Sequence, residues 1–268
     1  MNTGTVPTRG LEGRRPVPLL TVDEIGKHYG GLTVLDRCSL RVEQGSITGL
    51  IGPNGAGKTT LFEIISGFVP PDAGQITLGN LDITGLPPHR IARLGMVRTF
   101  QIPHEFAGMT VLDNLLVAPK DQCGERLWHA WFNRGAVKKQ DAGLRRRGEE
   151  ILDFLGLHRL VAEPAGNLSG GQKKLLELGR ALMLEPQLLL LDEPVAGVNP
   201  TLMKEIAGRI RELRDQGMTL LVIEHKMEFI MELSDWMYVM AEGKVLTEGT
   251  PTEVGRNEKV LDAYLGVV

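Results

Sequence analysis

Residues 52–59 read Gly-Pro-Asn-Gly-Ala-Gly-Lys-Thr, and no other stretch restricts the fold of this chain so tightly. The pattern is G-x-x-x-x-G-K-[ST], which works where a strand runs into a glycine-rich turn and the turn opens a helix. Both neighbours are present: the apolar run at 46–51 reads as a buried strand, and residues 58–66 read as a helix. Glycines let successive backbone N–H groups converge on one concavity that fits a phosphate, and the helix N-terminus adds partial positive charge beside them. Asn54, Gly55, Ala56, Gly57, Lys58, Thr59 and Thr60 are therefore the predicted phosphate contacts. Lys58 can reach a β- and γ-phosphate, the Thr59 hydroxyl can ligate Mg²⁺, and Thr60 offers a further hydroxyl to a phosphate oxygen.

A second constellation lies downstream. The apolar run 188–191 ends in Asp192-Glu193-Pro194. Such a run suits a strand buried on both faces of a parallel sheet, and ligands of these sheets gather at the carboxyl ends of the strands. Asp192 is placed to hold Mg²⁺ through water, and Glu193 to orient and polarise an attacking water. Alone, two acids before a proline would be a solvated strand end. A phosphate-binding loop upstream gives them work, because phosphoryl transfer depends on positioning and charge compensation.

Around these motifs, apolar runs at 19–25, 33–42, 75–78, 96–100, 187–191, 219–223, 236–240 and 244–247 read as strands. Residues 202–214 read as a helix, and the chain from 251 as two short ones. Between 110 and 184 the strand signals vanish and helical periodicity takes over. The expected plan is a tail at 1–18, a main α/β domain at 19–250 carrying a helical subdomain at about 102–184, and a helical tail at 251–268. The first 18 residues have arginines without an apolar stretch behind them, unlike a secretory signal. No apolar run approaches the ~18 residues of a membrane span. A net charge of −3 supplies no basic field, so no nucleic acid partner is expected. Cys38 and Cys123 form no disulfide or metal pattern and point to a reducing compartment. Glycine, 33 of 268 residues, exceeds the usual ~7 %, as tight turns and close approaches to a ligand would require.

Leu168-Ser169-Gly170-Gly171-Gln172 precedes an amphipathic helix bearing Leu175, Leu176, Leu178, Leu182 and Met183. Ser169 is a natural N-cap, and the glycines leave the helix start open to an anion. This second phosphate-binding surface has no evident use within one chain. Two chains arranged head to tail could each close it over the other's nucleotide.

An LSGGQ segment between such a loop and a hydrophobic-Asp-Glu strand resembles the signature of ABC ATPases, and the likeness extends over the chain from about residue 19. It implies a P-loop NTPase α/β core with an antiparallel β subdomain and an inserted α-helical subdomain. ATP and Mg²⁺ are the implied cofactors. By resemblance, Tyr29 stacks on adenine, a contact worth ~1–3 kcal/mol per base. Gln101, after Arg98-Thr-Phe100, matches the Q-loop glutamine that senses Mg²⁺ and relays to the helical subdomain. His225 matches the switch histidine that contacts the γ-phosphate, and with Glu193 and Gln101 completes the implied catalytic set. Thr59, Gln101 and Asp192 are the implied Mg²⁺ ligands, partly through water. The resemblance also implies that Ser169, Gly170, Gly171 and Gln172 contact the partner chain's ATP. Asn199 stands where the family's D-loop usually carries aspartate, so contacts across the dimer are expected to differ there while hydrolysis survives.

Gly-Val-Asn-Pro at 197–200, Ile-Glu-His-Lys-Met at 223–227, Gly249-Thr-Pro251 and Ala263-Tyr-Leu-Gly266 look like ATPase subunits of branched-chain and neutral amino acid importers, as does the insertion near Trp128. That likeness implies a different second ATPase subunit, two polytopic permeases, a periplasmic substrate-binding protein, and a peripheral place on the cytoplasmic face of the inner membrane. Urea/amide importers and the lipopolysaccharide-export ATPase share much of the pattern, though the latter usually keeps aspartate in the D-loop and has a shorter insertion. Among non-transport relatives, DNA-repair members separate their motifs with long coiled coils and translation factors carry two cassettes. An iron–sulfur-assembly ATPase of similar length stays open. The transported molecule is not written in this chain. A permease helix is expected to dock between Gln101 and about Leu116, with Phe106 and Met109 as apolar contacts and His104 and Glu105 as polar rim. Trp128, Trp131 and Phe132 are the alternative socket, and simple packing within the subdomain accounts for either group.

Overall fold

Three runs of five residues, Ile47–Ile51 (β3), Leu188–Asp192 (β7) and Thr219–Ile223 (β8), are buried at every position. A strand apolar on both faces needs cover on both, and this requirement sets the architecture. The computed structural model describes residues 18–99, 105–120 and 134–260. In it β3, β7 and β8 form the centre of a six-stranded sheet ordered β10-β9-β3-β8-β7-β6. Met96–Arg98 is β6, Trp236–Ala241 β9 and Lys244–Gly249 β10. All neighbours are parallel except the β9–β10 hairpin.

Side chains alternate across this sheet, as the two-residue period of a strand dictates. Leu50, Leu188, Leu190, Leu221 and Ile223 enter one core. That core is closed by the helix Lys58–Ile65 (α1) and by a second, antiparallel sheet ordered β2-β1-β4-β5. Its strands are Pro18–Tyr29 (β1), Leu32–Glu43 (β2), Ala73–Leu78 (β4) and Leu81–Asp82 (β5). Ile47, Ile51, Leu189, Leu191, Leu220 and Val222 enter the opposite core. It is filled by helices Val111–Leu116 (α3), Arg134–Phe154 (α4), Gly170–Leu182 (α5) and Pro200–Asp215 (α6), and by Met227–Leu233 (α7). Pro88–Arg93 (α2) and Pro251–Gly255 (α8) complete the described helices. No described helix is long and apolar enough to cross a membrane.

The expected α/β frame with a helical block and an antiparallel sheet is what the chain forms, with several differences. β1 runs on to Tyr29 because β-bulges between Val22 and Lys27 absorb the polar Asp23-Glu24 interruption. β6 stops at Arg98; Phe100, Gln101 and His104 lie outside the described residues, as do residues 1–17, Cys123, Trp128, Trp131, Phe132 and the last eight positions. The helix expected from 202 starts at Pro200, since proline at the first turn loses no hydrogen bond there. α2 and α7 are additions. Pro87 and Pro88 serve α2 as cap and first residue, and α7 is too short for a periodic pattern, although Phe229, Ile230 and Leu233 do share its buried face.

Asn114 shows how the segment entering the helical block is held. It is fully buried on α3. Its Oδ1 accepts from the Phe106 N–H at 2.8 Å, and its Nδ2 donates to the carbonyls of Phe106 at 3.1 Å and Thr110 at 2.9 Å. Asn114→Ala takes the acceptor from the Phe106 N–H and one hydrogen bond each from the Phe106 and Thr110 carbonyls, which keep the Met109 and Asn114 N–H groups. The expected loss is about 2 kcal/mol of stability, read as a lower urea midpoint together with faster proteolytic cleavage near residues 105–110.

Candidate active site

The register of the central strands builds the site. Leu50 pairs with Ile223, and Ile223 pairs with Asp192. The three strands therefore end level, and the residues that follow them meet at one carboxyl edge: the loop from Gly52, Glu224-His225 and Glu193. β6 lies beside β7 with Arg98 opposite Leu190, which brings its guanidinium to Asp192.

The loop after β3 enters α1 through Gly57, whose φ of 93° lies in the left-handed region that favours glycine. A Cβ there would also sit 2.8 Å from the Val34 carbonyl oxygen. No side chain caps α1, and its first turn carries no acid. Thr110, Ser169, Asn199 and Thr250, by contrast, each cap the helix they precede. The first N–H groups of α1 are thus left without a side-chain acceptor beside a buried lysine, an arrangement suited to an anion. The Lys58 ammonium donates to the carbonyls of Gly52 at 2.7 Å and Pro53 at 2.8 Å. Burial pulls it below the usual lysine range, and the Glu193 charge opposes that shift.

Glu193 leaves β7 with φ of 47°, an uncommon conformation for a non-glycine residue. Its N–H donates to the Ile223 carbonyl at 3.0 Å, which anchors the turn to the neighbouring strand. Its Oε1 meets His225 Nε2 at 2.7 Å. The structure therefore joins Glu193 and His225 directly, 32 positions apart in sequence. Asp192 behaves differently: its Oδ2 accepts from Arg98 Nη2 at 2.7 Å, with both side chains more than nine-tenths buried. Arg98 also donates to Ser66 Oγ at 3.1 Å and lies 5.7 Å from the ring centres of Phe62 and Phe68.

Tyr29 ends β1 beside the Gly30-Gly31 turn with about half its surface exposed, so a ring face is open to a ligand. Lys27 lies 5.5 Å from that ring and pairs with Asp72 at 2.8 Å, which also receives the His28 N–H. Among the described residues no hydrogen bond links 169–172 to 52–60. Ser169 and Gln172 form a reciprocal capping box on α5. Gly171 abuts Leu202 so closely that a Cβ would fall 1.8 Å from its Cδ1-geminal methyl, Cδ2. Asn199 caps α6 by accepting the Leu202 N–H at 3.0 Å.

A family model described as ABC transporter matches residues 35–196. The chain belongs to the ABC transporter family. A second model, for branched-chain amino acid ATP-binding cassette transporters, matches residues 244–268. The probable branched-chain amino acid transport ATP-binding protein LivG of Archaeoglobus fulgidus is 45 % identical over 248 residues, covering 92 % of this chain and 95 % of the relative. The high-affinity counterpart of Escherichia coli K12 is 40 % identical over 250 residues, 93 % and 98 % of the two chains. Among solved structures, a nucleotide-free ATP-binding cassette of an ABC transporter aligns with a TM-score of 0.80 at 38 % identity over 92 % of this chain and 98 % of that one. A cassette described as the ADP conformation of an ABC transporter's ATP-binding cassette aligns with the same score and identity, over 93 % and 99 %. The chain is accordingly a nucleotide-binding ATPase subunit of an ABC transporter, a class that works as a dimer with permease components.

Three residues of this ABC ATPase edge were given no role by the sequence motifs. Arg98 neutralises Asp192. Lys174, on α5, reaches the Glu193 carbonyl at 3.4 Å; burial lowers its pKa against the opposing charges of Glu177, Glu193, Asp192 and Glu224. Glu224 is a buried carboxylate. A buried acid ending a strand next to a histidine was the available signal for Glu224; nothing local flags the other two. Removing one partner of a buried ion pair leaves the other charge uncompensated. Arg98→Ala is expected to destabilise the subunit by about 3–5 kcal/mol, read from urea unfolding, while Arg98→Ala with Asp192→Asn recovers part of that loss.

Proposed function

We propose that this chain powers the import of branched-chain or neutral amino acids from the cytoplasmic face of the inner membrane. It would do so as one of two different ATPase subunits beneath two polytopic permeases, with a periplasmic protein delivering the substrate. The observation that carries this reading is the likeness, over nearly the whole of both chains, to relatives named for branched-chain amino acid transport, joined by the match of residues 244–268.

In the proposed reaction, residues 54–60 hold the ATP phosphates, and Lys58 turns its ammonium from the loop carbonyls to the β- and γ-phosphates. Tyr29 offers its ring face to adenine. Glu193 accepts a hydrogen bond from the attacking water, and His225 fixes that carboxylate while facing the γ-phosphate. Ser169, Gly170, Gly171 and Gln172 of the second chain close the site. Mg²⁺ would be held by the Thr59 hydroxyl and, through water, by Asp192 and Gln101, and it supplies charge neutralisation to the phosphate oxygens. The donor chemistry suits that ion: a hydroxyl and a carboxylate are hard oxygen ligands, and Mg²⁺ bound with phosphates needs only one or two protein ligands. As an N-cap, Asn199 serves as well as aspartate would, which supports normal hydrolysis despite the altered D-loop. We assign residues 19–250 to the ATPase unit, about 102–184 to its helical subdomain and 251–268 to a C-terminal tail.

Coupling is assigned to the segment after Gln101. Phe106 is half exposed under the Arg180 guanidinium, 5.1 Å from the ring centre. Glu105, the expected polar rim, pairs with Lys173 at 2.6 Å and so ties the segment to α5. Both contacts lead to the helix that begins at Ser169.

Glu193→Gln is expected to leave ATP affinity within a few-fold of wild type and to lower turnover of the assembled transporter at least about 100-fold, with an ATP-bound dimer accumulating on size-exclusion chromatography. Wild-type turnover would remove Glu193 from the catalytic role. Separately, Phe106→Asp combined with Met109→Asp should abolish substrate-stimulated hydrolysis in reconstituted vesicles while nucleotide binding by the isolated subunit stays normal. Uptake of radiolabelled leucine at the wild-type rate by these vesicles would defeat the docking assignment, and wild-type vesicles that hydrolyse ATP yet take up no branched-chain or neutral amino acid would defeat the substrate assignment.

A further inference from the structure

Glu224 stands between strand β8 and His225, is 2 % exposed, and has a carboxylate fully committed to backbone. Its Oε1 accepts from the Val195 N–H at 3.0 Å. Its Oε2 accepts from the His225 N–H at 3.0 Å and the Lys226 N–H at 3.3 Å. The Lys226 ammonium returns to the Val195 carbonyl at 3.4 Å. One carboxylate thus spans two loops, the one that follows Glu193 and the one that carries His225. These loops belong to neighbouring strands, and the side-chain contact between them is the 2.7 Å pair of Glu193 and His225.

We infer that Glu224 is a positioning residue for hydrolysis, a brace that fixes the spacing between Glu193 and His225. The inference rests on the proposed roles of those two residues and adds a third that touches neither nucleotide nor water. The physical grounds are geometric. A carboxylate has two acceptor oxygens set a fixed distance apart, and charge-assisted bonds to backbone N–H groups are short and strong. Each loop end is therefore located by the main chain rather than by a mobile side chain. Displacement of a reacting group by about 1 Å can cost on the order of 100-fold in rate. Glu193, at φ 47°, occupies a conformation that its surroundings must maintain. The brace does not touch residues 52–60, so nucleotide binding is not expected to depend on it.

The test compares Glu224→Gln, Glu193→Gln and the double variant in the assembled transporter. Glutamine keeps the shape and can still accept from Val195, but its NH₂ cannot accept from His225 and Lys226. The expected result is a fall in kcat of about 10- to 100-fold, with KM for ATP within about 2-fold and a melting transition that is lowered by the unpaired N–H groups but stays cooperative and above the assay temperature. Glu224→Ala should fall further where it folds. In a single-turnover assay, adding Glu224→Gln to Glu193→Gln should lower the residual rate by less than about 2-fold, because both act through one carboxylate. An unchanged kcat in Glu224→Gln, a matching rise in KM, or a full additional loss in the double variant would overturn the inference. The controls separate two failures. If Glu193→Gln abolishes turnover and Glu224→Gln is silent, the brace alone is wrong; if Glu193→Gln turns over normally, the catalytic reading falls and the brace with it.

Discussion

The level ending of β3, β8 and β7 is the constraint from which the site follows. Leu50, Ile223 and Asp192 share one height across the sheet, and all three strands are buried on both faces. A slip of one residue would exchange the two cores' side chains and put Asp192 among leucines. Register is therefore set by packing on two sides at once. It carries the phosphate loop, Glu193 and His225 to a common edge without any interaction among the functional groups themselves. The geometry of the candidate site is a by-product of hydrophobic burial, adjusted locally by hydrogen bonds.

That edge concentrates charge, and the arrangement of cations around it is specific. Asp192 ends one strand, Glu193 and Glu224 follow that strand and its neighbour, and Lys58, Arg98 and Lys174 approach from three different elements. Burying a carboxylate is costly unless it is paired and hydrogen-bonded. Arg98 gives Asp192 a direct ion pair. Backbone N–H groups give Glu224 its hydrogen bonds. Lys174 differs because it comes from α5, the helix that begins at Ser169. It ties the signature helix of a chain to that chain's own Glu193 turn.

Legibility from sequence divides along the same lines. The phosphate loop and Asp192-Glu193 were readable because their chemistry is local: adjacent residues, one strand end, one helix start. The pairing of Glu193 with His225 was readable only as order along the chain, and the register turns that order into a 2.7 Å contact. Arg98, Lys174 and Glu224 act through partners 94, 19 and 29 positions away, and no periodicity encodes such distances. Short helices such as Pro88–Arg93 escape because six residues cannot display a 3.6-residue pattern. Asn199 is the reverse case. Its departure from the family's aspartate is visible in the sequence, yet as an N-cap either residue accepts the same backbone N–H.

The signature residues explain why one chain is half of a machine. Ser169 and Gln172 spend their side chains on each other's backbone at the start of α5, and no described hydrogen bond joins them to the phosphate loop. In the proposed dimer they serve the other nucleotide, so the position of α5 decides whether that site is closed. Beyond its buried apolar face, α5 has three ties in its own chain that bear on the site: Glu105 at Lys173, Phe106 at Arg180, and the Glu193 turn at Lys174. Two of these ties belong to the segment that follows Gln101 and one to the Glu193 turn. A ligand shifts an equilibrium only through contacts that differ between its states. A permease pressing on Phe106 and a nucleotide drawing on Glu193 would both bias the same helix, and by linkage each would then alter the affinity of the chain for the other. Coupling in this reading needs no relay of side chains across the domain, because one rigid helix of thirteen residues carries all three ties.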